Sequence, residues 1–366
     1  MINNYLLKLL MFLIVLNLTS AQTNWKQVSL NDVKTKIGNG TKEQLPTSYN
    51  LYNFNFSDLK NRLKLAPEEN FGSENNSTIS VSFPFEDGHF EAFTIRRVFY
   101  MHKDLNALYP EIQSYIGVSE QNPLHKLHIS ISKDNFYGVI NGEKTIYLDP
   151  YKRGESDYLL VYNRKNFNKA TDDDFNCAYI DEESTEKAVQ FGSNQQQKNI
   201  IDGRFRTYEI AIACTSDYSA YHGNTVAGVL AAMNTTITRV NSVFERDMGL
   251  RFQIVPSNNR LIYINGFNSD ATPDPDPYDN YSGSQMLGAN TANISGLITA
   301  AAYDIGHVFS TGGGGIAGTG PCGTNKGSGV TGIVTPEFDP FDIDYVAHEI
   351  GHQFSAGHTY YNPCFG

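Results

Sequence analysis

The chain is poor in charge, and poorest in positive charge. Charged residues make up 18% of its 366 positions, with 28 Lys and Arg against 39 Asp and Glu, a formal charge of −11. That balance excludes the basic surface of a nucleic-acid-binding protein and mainly favours solubility. Long hydrophobic runs are also missing. The apolar stretch Leu9–Leu16 is too short to cross a bilayer, and no later stretch is longer. Preceded by Lys8 and followed by the small residues Thr19-Ser20-Ala21, it reads as a secretory signal peptide over 1–21; the competing reading is an uncleaved anchor. Cysteine is scarce, at Cys177, Cys214, Cys322 and Cys364. Four thiols fit an exported protein and leave three complete pairings open. The four-glycine run Gly312–Gly315 lacks the Lys and Ser or Thr of a phosphate-binding loop at the required spacing, which removes nucleotide chemistry. Apolar residues are not lacking: at 40% they suffice for packed cores, and the length suits about two domains.

From residue 22 to 191 the pattern is β-like, with strands expected at 79–83, 92–100, 127–131, 136–140, 145–148 and 158–162. Asn141-Gly142 suits a type I′ hairpin turn. His89, His102, His125 and His128 are scattered through this strand-rich region and form no cluster, so structural roles are expected for them. A polar stretch, Gly192-Ser193-Asn194-Gln195-Gln196-Gln197-Lys198, then reads as the start of an exposed linker over 192–203. Exposed linkers are where proteases cut. Arg204 and Arg206 are either processing positions or ordinary surface charges leading into a strand.

Beyond the linker, over 204–366, the pattern becomes α/β. Tyr208–Ala213 alternates as a strand, and Asn224–Met248 carries Val226, Val229, Leu230, Met233, Ile237, Val240, Phe244 and Met248 on one helical face. Gly249 stops that helix, and strands are expected at 250–255 and 261–264. A second helix over 284–302 and a strand over 303–309 follow. Asp270, Asp274, Asp276 and Asp279 alternate with prolines, which invites calcium but lacks any calcium-loop spacing; a loop is the better reading.

The chemistry is concentrated in His348-Glu349-Ile350-Gly351-His352-Gln353-Phe354-Ser355-Ala356-Gly357-His358. Positions i and i+4 of a helix share a face, so His348 and His352 can offer two imidazoles to one ion, with Glu349 beside them. Zinc held by neutral histidines, with one position left to water, lowers that water's pKa, and an adjacent carboxylate can take its proton. His358 lies too far along a continued helix to join them, so the chain has to turn back. Gly357 is the residue expected to allow it.

These residues resemble a metzincin metalloprotease of the reprolysin or adamalysin-like branch, including its bacterial members. The resemblance covers the zinc helix, the strand and long helix over 208–248, the 303–331 stretch and, more loosely, the N-terminal region as a prodomain. It implies a mixed twisted sheet with long helices and an active-site helix, preceded by a β-rich prodomain. It further implies His348, His352 and His358 as zinc ligands and Glu349 as general base in hydrolysis of a protein or peptide substrate. The strand near 314–318 would be the edge on which substrate lies extended. Two departures stand out. Metzincins carry glycine where this chain has Ser355, and they place a methionine turn downstream of the third histidine, whereas no methionine follows Met286. The expectation is therefore a C-terminally incomplete catalytic region. Cys177, in Asn176-Cys177-Ala178, is either a latency cysteine filling zinc's open position or half of a disulfide; family prodomains often have Cys-Gly there. Cys322 and Cys364 sit where relatives have disulfide cysteines. The leading expectation is a secreted, latent zinc endopeptidase with no membrane span once the signal is removed. The alternative is a secreted binding or adhesion module with a structural zinc site.

Overall fold

The computed structural model of the protein describes residues 24–40, 45–69, 78–167, 177–178, 203–268, 275–318 and 320–358. The expected signal peptide, the linker over 192–202, Asp270, Asp274 and Cys364 lie outside them.

The N-terminal part is one sheet with short helices: β1 (Lys26–Gln27), α1 (Leu30–Ile37), β2 (Asn50–Asn53), α2 (Phe56–Leu63), β3 (Ile79–Pro84), β4 (Phe90–Val98), α3 (Lys103–Leu108), β5 (Gln113–Ser119), β6 (Lys126–Ile131), β7 (Phe136–Asn141), β8 (Thr145–Pro150) and β9 (Tyr158–Asn163). The nine strands pair antiparallel in the order β1-β2-β9-β8-β7-β6-β5-β4-β3. Period-two alternation sorts the side chains. Tyr115, Leu127, Ile129, Ile140, Ile146 and Leu148 enter a core shared with Leu59 and Leu63 of α2. Their neighbours Ser114, His128, Ser130, Asn141 and Asp149 are buried too, and the hydrogen bonds of Ser114, Ser130, Asn141 and Asp149 lead to the second half of the molecule.

That half contains β10 (Arg206–Cys214), α4 (Ser216–Tyr221), α5 (Val226–Asp247), β11 (Leu250–Ile254), the two-residue strands β12 (Tyr263–Ile264) and β13 (Phe267–Asn268), α6 (Gly283–Ile298), β14 (Ile305–Ser310), β15 (Gly314–Ala317), β16 (Gly329–Gly332) and α7 (His348–Gln353). Its sheet runs β11-β10-β14-β16-β15, parallel except for β15 against β16. Ile210 and Ile212 of β10 face α5 and the helical run that ends in α7, whereas Ala211 and Ala213 face α6. The architecture is the mixed α/β arrangement of a metzincin-like fold behind a β-rich N-terminal region.

The long helix α5 lies between the two sheets. Thr225 caps it, accepting from Gly228 N, and Gly249, with φ 64°, ends it. Its apolar face packs on the five-stranded sheet. Its polar face meets the nine-stranded one: Ser114 and Ser130 bond Asn234, Ser130 bonds Thr235, and Asn141 donates to Ser242 O. Val98, Tyr100, Met101, Leu105 and Ile112 from the N-terminal part belong to the same core as α5, β10 and β11. Fully burying side chains of this size contributes about 1.5–3 kcal/mol each.

Several boundaries differ from those expected. The strand expected over 92–100 stops at Val98, since the next residues join β11: Ile254 N donates to Tyr100 O and His102 N to Ile254 O. The expected strand over 261–264 begins as a 3₁₀ turn at Asn258–Leu261, where Asn258 accepts from Ile212 N and donates to Ile212 O. Helix α6 ends at Ile298 because Thr299 takes φ 72°. The hairpin at 141 forms, but its loop is Gly142 to Lys144 and Gly142 is not left-handed, so the turn is not type I′.

Candidate metal centre

Helix α7 continues a π-helix, Pro340–Ala347, so the histidine pair sits at the end of a longer helical run. Ile350 anchors that run in the core beside Val346 and Phe341. On its other side, Gln353 is tied to β14: its amide donates to Gly306 O at 3.0 Å, and its carbonyl accepts from His307 Nδ1 at 2.9 Å. His307 in turn accepts from Thr331 Oγ1 at 2.8 Å. Burial holds His307 neutral, at about 4, which suits one ring nitrogen donating and the other accepting.

His348 and His352 meet with their Nε2 atoms 2.9 Å apart. The Nδ1–H of His352 donates to Ala356 O at 2.6 Å, which leaves its Nε2 lone pair facing the cluster. His358 does reach them, its ring 5.3 Å from His348 and 4.6 Å from His352 between centroids. The turn that brings it back is not made at Gly357. Ser355 makes it, with φ 68°, in the position where metzincins carry glycine. Burial and the two neighbouring imidazoles hold His348 down at about 4.

Cys177 completes the group. Its Sγ lies 3.6 Å from His352 Nε2, and the ligand atoms of Cys177, His348, His352 and His358 all lie within 4.8 Å of one another. No disulfide joins the described cysteines, and Cys214 instead hydrogen-bonds Ser219 in the core. The residues on either side of the Cys177–Ala178 peptide lie along the outer strand β15. Cys177 bridges Gly315 in the parallel sense, and Ala178 N donates to Gly315 O at 2.9 Å.

Glu349 is fully buried, and no oxygen or nitrogen donor reaches either carboxylate oxygen; its hydrogen-bonding neighbour is the Cys177 thiol. Burial pushes its carboxyl up to about 7, with the Cys177 thiol acting in the opposite sense. The carboxylate occupies space that only glycine leaves: a Cβ on Gly315 would stand 2.1 Å from Glu349 Oε1. Three neutral-capable imidazoles, a thiol and a buried carboxylate that no oxygen or nitrogen donor reaches are a donor set that fits zinc, and a bound cation and its water would satisfy the carboxylate.

Among the described residues no other His, Cys, Asp and Glu group is close enough to share an ion. Asp276 instead accepts from the backbone of Ser216 and Tyr278, as expected of a loop residue. The N-terminal histidines have structural partners: His89 and His125 both contact Glu91, His102 caps α3, and His128 lies 3.6 Å from Glu245. Sequence reasoning passed over Gln353, His307 and Gly315. The signal for Gln353 was present, since a polar residue directly after His352 falls on the side of the helix opposite the solvent.

No described helix is long and apolar enough to cross a membrane. No curated protein matches the chain. Residues 230–359, which run from α5 through His358, match the model of the metallo-peptidase family M12B, Reprolysin-like. Over that stretch the chain is similar to the Reprolysin-like metallopeptidases, a family of zinc enzymes that act on proteins and peptides.

Proposed function

We propose that the protein is a secreted zinc endopeptidase made as a latent precursor, with His348, His352 and His358 as the metal ligands and Glu349 as the general base. The observation that carries this reading is the buried Glu349 carboxylate that no oxygen or nitrogen donor reaches, beside three imidazoles. A purely structural metal site has no use for such a group. Zinc bound there would supply Lewis acidity and bring a water's pKa towards neutrality. Glu349 takes up the water's proton and passes it to the leaving amine; its carboxyl, pushed up to about 7 by burial, is poised near neutral pH, and a cation beside it favours the charged form. His352 is kept in the ligating tautomer by Ala356 O. The outer edge of β15 offers its backbone to an extended peptide once the Cys177–Ala178 segment leaves. Until then the thiol would serve as a further ligand to a bound zinc while the segment lies on the edge, so one stretch of chain would block both water and substrate. Export is supported by the pattern of residues 1–21.

The closed set of three histidines and one thiol also suits a second reading, a secreted binding module with a structural zinc, since structural sites have four protein ligands. Two variants separate them. Glu349→Gln should keep its zinc and lose roughly 10²- to 10⁴-fold of chelator-sensitive hydrolysis of a general protein substrate. Cys177→Ser should raise the activity of the precursor. Hydrolysis undiminished in Glu349→Gln would falsify the base assignment, and loss of zinc without gain of activity in Cys177→Ser would favour the structural reading.

A further inference from the structure

We propose that the nine-stranded N-terminal sheet is a permanent half of the active protein: when the chain is cut between the two sheets, only the Cys177 segment is released from the site, and residues 24–167 stay bound to the five-stranded half. The inference deepens the latent-protease reading and uses it only for the statement that the chain is cut. It reverses the expectation that the N-terminal region is a prodomain to be shed.

The two attachments differ in kind. At the site, Ala178 N donates to Gly315 O and the Cys177 thiol lies against His352 and Glu349. Such a contact is dissociable by a competing ligand or an extended peptide. The sheet-to-sheet junction is built like an interior. Val98, Tyr100, Met101, Leu105 and Ile112 are each at most 4% exposed and share one core with Ile210, Ile212, Phe252 and Ile254. Tyr100 and His102 pair with the backbone of Ile254 at the end of the β11 edge. Arg239 of α5 is 2% exposed and pairs at once with Asp149 of β8 and with Asp342 of the run leading into α7. Arg153 and Arg164 hold the residues just before that run, bonding Glu337 at 2.8 Å and Asp339 at 2.7 Å, and Arg164 also pairs with Asp344 within it at 2.5 Å. Tyr147 donates to Asp339 as well.

Removal of the N-terminal sheet would therefore expose an apolar patch on α5 and β11. It would strand Arg239 without Asp149, and take two arginines and a tyrosine away from the segment that carries His348. The polar groups along α5 are hydrogen-bonded across the junction, so separation would leave buried donors and acceptors without partners. Taking Asp149 away would leave the buried Arg239 with one of its two carboxylates, which opposes separation.

The test uses the full chain with the recognition sequence of a site-specific protease inserted between Gln195 and Gln197. After cutting, the protein is diluted roughly hundredfold and run on a sizing column, with and without about 1 M sodium chloride, while hydrolysis is measured in parallel. The expected result is co-elution of both fragments under each condition, since buried pairs are little screened by salt. Release of the N-terminal fragment, or precipitation of the C-terminal fragment alone, would overturn the inference. Hydrolysis is read independently: co-elution without Glu349-dependent activity upholds the retained half and counts against the protease reading, whereas separated fragments with such activity do the reverse.

Discussion

Two buried polar clusters lie at either end of the helical run 340–353, and they are built on opposite rules. Around Arg239, each carboxylate has at least two donors: Asp342 accepts from Thr236 and Arg239, and Asp149 from Tyr162 and Arg239. The guanidinium also lies 4.9 Å above the ring of Tyr147. Around Glu349 no oxygen or nitrogen donor reaches the carboxylate, and the imidazole atoms crowd one another. The carboxylates of the first cluster are satisfied by the protein, and the cluster holds two layers in register. The second is satisfied only by something the protein does not itself provide. Burial is common to both, so burial alone does not identify a reactive site; a buried carboxylate that no oxygen or nitrogen donor reaches, beside three imidazoles, is what sets the second apart.

The contrast can be broken in four ways. Arg239→Ala should have the largest effect, a loss of about 3–5 kcal/mol in urea denaturation, because it leaves two carboxylates buried without their cation. Glu349→Gln, also buried, should change the same measurement by less than about 1 kcal/mol. Equal losses would erase the distinction. Gly315→Ala forces Glu349 to move, and should cost about 1–3 kcal/mol while abolishing hydrolysis, with zinc content retained.

Acid provides the third way. His307 has a folded value of about 4 against an ordinary 6.5, so below 6.5 the unfolded chain takes up a proton that the folded one refuses. Its stabilising effect is complete above pH 6.5 and is lost as pH falls towards 4. The cost is roughly 2 kcal/mol between pH 7 and pH 5. His307→Gln should flatten that part of the stability profile, and an unaltered slope would remove His307 from the account. The smallest effect is at the turn. Ser355→Gly should gain about 1 kcal/mol in thermal unfolding by relieving a left-handed serine; a loss would mean the serine hydroxyl contributes more than the strain costs.

Much of the site was legible in the sequence because it is local. His348, Glu349 and His352 are fixed by helical spacing, and the apolar positions of α5 by a period that needs no tertiary information. Legibility failed where the cause was distant or conformational. Ser355 in a left-handed turn is invisible to a rule that looks for glycine, so the bend was placed at Gly357. Cys177 stands 175 residues from His352 and no spacing rule connects them, so only the family resemblance offered it as a residue of the zinc site, with a disulfide as the other reading. The polar face of α5 has the composition of a solvent face, yet Thr238, Arg239, Asn241 and Ser242 are buried by another sheet or strand. Helices α1 and α2 were missed even though Ser29 with Asp32, and Asn55 with Asp58, are capping signals; both helices are only two turns long, and strand patterns dominate around them.

The position of α5 between two sheets has a consequence for the order in which the molecule is assembled. The strands β3 to β9 pair with their sequence neighbours, so that sheet can form while the rest of the chain is still being made. Helix α5 then has a surface on which to dock as it emerges. The five-stranded sheet closes later, since β10 must wait for β14, about a hundred residues on, and the helical run that ends in α7 comes after both. The three histidines are thus brought together last, on a scaffold already set by the N-terminal strands, and amides of α5, covered from both sides, should exchange with solvent more slowly than those of any helix with one open face.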